Sequence, residues 1–108
     1  MSVSIQGTKT GSGTNDNDVC IDFENAESFN TFHIMSTAGA MDVSVSLDGT
    51  NYSTAPLSIE DQGATSSAPV LVTVANRVYG FRGKYKSIRI LQNGATAVVN
   101  AALSYGNM

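Results

Sequence analysis

Residues 41–52 read MDVSVSLDGTNY, and the fold follows from how this stretch is parsed. Met41, Val43, Val45 and Leu47 alternate with Asp42, Ser44, Ser46 and Asp48. Successive side chains of an extended chain point to opposite faces, so the alternation predicts a half-buried antiparallel strand with its apolar side on the core. Asp48-Gly49 then interrupts the run ahead of the aromatic Tyr52. Glycine accepts positive φ without steric penalty, and Asp-Gly after an alternating run is a strong hairpin signal. A metal loop is the competing reading. It lacks ligands, because Asp48, Thr50 and Tyr52 offer neither a second acid nor a closing bidentate carboxylate. Asp48 is expected to cap a turn.

The same period of two recurs outward from this strand, while helical spacing is nearly absent. It turns Val19, Ile21 and Phe23 inward on one strand and Phe32 with Ile34 on the next. Later strands are expected to bury Val70, Val72 and Val74, then Ile88 and Ile90, then Val99, Ala101, Leu103 and Tyr105. Breaks fall at residues 25–28, 38–40, 62–67 and 92–95. About seven or eight short strands, each with one apolar face to cover, define an all-β protein: a single antiparallel β-sandwich or jelly roll. Residues 18–108 form that domain. Residues 1–17 end in polar, core-poor sequence and are expected to form an N-terminal arm or, through Val3 and Ile5, an edge strand. At 108 residues the chain is one domain, large enough to withdraw roughly 65% of its unfolded surface from water.

Chemistry is sparse. The single cysteine, Cys20, can form neither an internal disulfide nor a paired-cysteine zinc site. Alternation places it beside Asp22 and Glu24, whose charge would raise its pKa and leave it a poor nucleophile. His33 is the one histidine and is expected to share a face with Phe29, Thr31 and Met35; it is expected to be partly buried or interfacial rather than a ligand. Residues 15–18, NDND, carry oxygen ligands for calcium but too few, and are expected to cap turns. No nucleophile, base and oxyanion constellation can be assembled, so no enzyme, catalytic residue, cofactor or metal is expected. The opening, MSVSIQGTKTG, has no secretory-signal pattern, and no apolar run is long enough to span a bilayer. A soluble protein made in a cytoplasm is expected.

The net charge of -3 conceals a division. All nine acidic residues precede residue 62 with only Lys9 beside them; the remainder carries five cations and no acid. Residues 77–90, RVYGFRGKYKSIRI, interleave Arg77, Arg82, Lys84 and Lys86 with Tyr79, Phe81 and Tyr85. Cations beside aromatics are the footprint of single-strand nucleic-acid platforms, but a pI near 4.7 opposes phosphate at range. Internal ion pairs are a second reading. A protein contact between the basic segment of one subunit and the acidic surface of another suits the division best, making Arg77, Arg82, Lys84 and Lys86 the candidate interface residues.

Residues 43–52, VSVSLDGTNY, together with residues 83–90, GKYKSIRI, resemble small β-sandwich virion proteins of tailed bacteriophages, especially head decoration or cement proteins. The resemblance spans residues 19–105. It implies a non-catalytic protein, often trimeric, that sits on the outer capsid surface and bridges copies of the major capsid protein; the acidic pI and the lack of a spanning apolar run leave neither nucleic acid nor membrane as an expected partner. Similar wording occurs in discoidin-like carbohydrate-binding sandwiches, which implies a glycan partner or a tail or fibre location as the alternative. The chain departs from those by having no tryptophan for sugar stacking.

Overall fold

The computed structural model describes residues 4–63, 69–94 and 99–108, without the side chains of Ser4 and Ile5. Val3 and parts of the breaks at 62–67 and 92–95 lie outside the described residues. Eight strands are present: β1 (Ser4–Gly13), β2 (Val19–Glu24), β3 (Thr31–Ser36), β4 (Ala40–Ser46), β5 (Glu60–Asp61), β6 (Tyr79–Arg82), β7 (Ser87–Asn93) and β8 (Val99–Asn107). A five-stranded sheet runs β1-β8-β3-β6-β5, and a three-stranded sheet runs β2-β7-β4.

Every ladder is antiparallel, and the first strand pairs with the last, the second with the seventh, the third with the sixth. Residues 52–57 complete the series along the free edge of β4. Ser53 N–H donates to the Val45 carbonyl at 2.8 Å, and Leu57 N–H donates to that of Val43 at 2.7 Å. The topology is a long hairpin rolled on itself, a jelly roll, confirming the expected fold class. Two-sheet packing leaves one core between the layers, filled by Phe32, Ile34 and Leu103 from one sheet and Phe23, Val43 and Ile90 from the other. Each such side chain stabilises the fold by about 1.5–3 kcal/mol relative to exposure.

Four departures from simple alternation have physical causes. A bulge between Val19 and Ile21 shifts the β2 register, so Val19 faces solvent and Cys20 turns inward. Burial is then the largest reason for its raised thiol pKa, with the Asp18 charge second. Leu47 is 78% exposed because the turn begins there. Asp42, Ser44 and Ser46, expected to face solvent, are buried as residues 52–57 and Thr73 close over the β4 edge. Their polar atoms are met by Asn93, Ser53 and Asp48 respectively. Residues 70–74 form no strand. Val70 makes one bridge to Ile59, and Val72 and Val74 are exposed.

With its thiol buried and its pKa raised, Cys20 should react with a disulfide reagent at pH 8 at the rate of local opening. Full-length protein should label slowly when native and at once in denaturant; equal rates would contradict its inward placement.

β1 joins the two layers. It pairs with β8 over its length, and Gly11 lies so close to β2 that a side chain there would overlap the Cys20 carbonyl oxygen. Only hydrogen at that Cα permits the approach.

Candidate functional surface

The charge division along the chain is folded onto itself. A rolled hairpin sets strands of the first half beside strands of the second, so acidic and basic segments become neighbours. Arg89 faces Asp22 across the β2–β7 ladder, with Nε 3.5 Å from Oδ2, and lies 4.0 Å over the Tyr52 ring. Lys86 Nζ reaches Glu27 Oε1 at 2.9 Å and Asn25 Oδ1 at 2.8 Å. Arg77 pairs with Asp61, holding the Asp61 carboxyl below its usual range. Of the four candidate interface residues, Arg77 and Lys86 therefore have carboxylate partners in their own chain. Lys84 donates only to the Glu27 backbone carbonyl at 3.2 Å, and Arg82 meets the Met108 sulfur. Neither has a carboxylate partner among the described residues.

The aromatics of the basic segment part company with its cations. On β6 the alternation sends Tyr79 and Phe81 into the core at 2% and 7% exposure, while Arg82 faces out. Two of the three rings are thereby removed as stacking faces for bases. Tyr85 is half-buried, and its hydroxyl donates to the Arg82 carbonyl at 3.2 Å. Its ring lies against Gly83, whose φ of 146° suits glycine and whose missing side chain leaves room for it. Burial raises the Tyr85 pKa.

Asp48 caps its turn as expected. Oδ1 accepts the Thr50 and Asn51 amides, each at 2.8 Å, and Oδ2 accepts the Asn51 side chain at 2.7 Å. Gly49 supplies the positive φ of 86°. The loop is longer than a two-residue hairpin, closing only at the Ser46–Tyr52 bridge. Pro56 brings no N–H, so the returning segment cannot build a regular ladder. Within residues 15–18, Asp18 accepts the Thr14 and Asn15 amides at 3.0 and 2.9 Å, and Asp16 accepts the Gly94 amide at 2.8 Å. Among the described residues no group of three His, Cys, Asp or Glu is placed to hold a metal ion.

These bonds give an acid sensitivity. Backbone amides lower the pKa of Asp48 and of Asp18, and the Lys86 side chain lowers that of Glu27. Groups with a depressed folded pKa bind protons less readily when folded. Their stabilisation is present above the ordinary carboxylate range, near about pH 4, and is lost as pH falls through and below it. The urea midpoint should drop between pH 6 and pH 3, and less steeply in Asp48→Ala. An unchanged midpoint over that interval would exclude the capping contribution.

One groove of about 490 Å³ opens where β5 stops. β5 covers only Tyr79 and Gly80 of β6, so Phe81 and Arg82 have no strand beyond them. Its lining includes the apolar Phe32, Phe81, Leu57 and Tyr85 and the polar His33, Glu60, Gln62 and Arg82. His33, half-buried, sits in register between Ser104 of β8 and Gly80 of β6. Sequence reading missed the groove, because its residues come from four separated segments.

The fold and surface define a jelly-roll β-sandwich with capped turns and an open groove beside β6. No helix among the described residues is long and apolar enough to cross a membrane. No protein-family model matches the chain, and no curated protein sequence matches it. Among solved structures, the chain is similar to the SPBc2 prophage-derived protein YomS, with a TM-score of 0.67 over 97% of this chain and 99% of that one. Identity is 12%, so the likeness is one of fold.

Proposed function

We propose that this protein is a bacteriophage virion component: a capsid decoration or cement protein that binds the outer head surface and bridges subunits of the major capsid protein. The observation that carries the reading is the end-to-end likeness to a prophage-derived chain, with almost nothing added or missing on either side. A role in touching other proteins also suits a domain whose buried side chains are spent on the core and whose carboxylates mostly cap turns or meet cations of the same chain. In this reading the protein is not an enzyme, acts as a homotrimer, and resides on the virion. A trimer that touches several coat subunits gains by effective concentration, by roughly 10²-fold or more.

Of the proposed contacts Arg77, Arg82, Lys84 and Lys86, Lys84 has the charge most open to an acidic partner, since it has no carboxylate of its own and lies outside the groove. Purified particles should carry hundreds of copies against the coat protein, as expected for many sites on a head. Heads lacking the protein should rupture at lower temperature, and Lys84→Glu should lower occupancy in a salt-dependent manner. A handful of copies per particle, or heads equally heat-resistant without the protein, would overturn the assignment.

A further inference from the structure

We propose that the groove beside β6 is a binding site for a neutral glycan, holding one or two hexose units. Its volume of about 490 Å³ lies within the range of small-ligand sites, roughly 300–1,000 Å³. The lining carries three planar polar groups of different kinds: the Glu60 carboxylate, the Gln62 amide and the Arg82 guanidinium. Each sugar hydroxyl both donates and accepts, and adjacent hydroxyl pairs match planar groups with two adjacent polar atoms. A carboxylate takes two donors, a guanidinium offers two, and an amide supplies one of each. Among the described residues no side chain bonds the Glu60 carboxylate or the His33 imidazole, so both remain available to a ligand.

Charge selects the ligand class. The lining holds one carboxylate, Glu60, and one guanidinium, Arg82, so its formal charges cancel and neither an anion nor a cation is favoured, whereas an uncharged polyol uses both. The Tyr85 ring provides an apolar wall for the C–H face of a pyranose. That ring is held by its hydroxyl bond to the Arg82 carbonyl and by Gly83, so the wall is preorganised. The same bond disfavours an extended peptide added to the β6 edge, because it already engages a carbonyl that an incoming strand would use.

The test is an amide-resolved NMR titration of the full-length protein with neutral malto-, cello- and galacto-oligosaccharides into the tens of millimolar. Saturable shifts at Thr31, His33, Gln62, Gly80 and Arg82 are expected for at least one series. Glu60→Gln combined with Gln62→Ala should weaken that binding about tenfold or more. Both residues are exposed, so the fold should persist. The proposal is overturned if no sugar gives saturable shifts, if the shifts lie elsewhere, if the double variant binds unchanged, or if an uncharged extended peptide occupies the groove and no sugar does. Glu60 and Gln62 are not among the proposed coat contacts. Copy number of the double variant on heads therefore reports on the capsid assignment separately from sugar binding.

Discussion

Phe32→Ala should lower the unfolding free energy by about 3–5 kcal/mol, a large share of the about 5–15 kcal/mol available to a domain of this kind. Phe32 is fully buried on β3. Its ring lies 5.2 Å from Phe81 in the same sheet and meets Phe23 of the opposite sheet edge-on at 6.5 Å. Truncation thus removes contacts both within a layer and between layers, and packed neighbours on two sides cannot all move inward to fill the space. Urea titration of both proteins at one pH reads the difference, with Phe32→Leu as a milder control. A loss under about 1 kcal/mol would mean that the layers are held together elsewhere.

Gly11→Val is the second large effect, and it acts through backbone rather than side-chain packing. A Cβ at residue 11 would overlap the Cys20 carbonyl oxygen, and a backbone atom cannot rotate aside as a side chain would. Relief requires β1 to move away from β2. That motion strains the ladder holding Gly11 opposite Ala101 and Gly13 opposite Val99. Overpacking of this kind costs about 1–3 kcal/mol, and hydrogen exchange along β1 should quicken as well. Gly63→Ala is the matched control, since the nearest contact of its added carbon would be Asp61 Oδ1 at 3.6 Å; it should change stability by about 0.5 kcal/mol or less. Equal effects at the two glycines would exclude close β1–β2 contact as the cause.

The difference between these two positions also marks what could be read in advance. Phe32 and Ile34 were visible as core because inward direction depends only on a residue's place in a strand. Asp48 was visible as a turn cap because its partners lie two and three residues away. Gly11 gave no sign, since its constraint comes from Cys20 on another strand. The groove was equally hidden: His33, Glu60 and Arg82 become neighbours only when β3, β5 and β6 pair. Residues 70–74 show the limit of periodicity, for Val70, Val72 and Val74 alternate correctly yet find no continuous edge with which to form a ladder.

The amino-acid sequence by itself determined the strands around residue 41–46, the inward residues of β3, β7 and β8, the Asp48 turn, and hence a two-layer antiparallel protein. All of these are settled by neighbours a few positions apart. Only the tertiary structure decided the jelly-roll pairing, the inward turn of Cys20 at a bulge, the covering of β4, and the fate of the divided charge. Rolling a hairpin brings its two halves side by side, so an acidic beginning and a basic end, far apart along the chain, become ion pairs within one molecule.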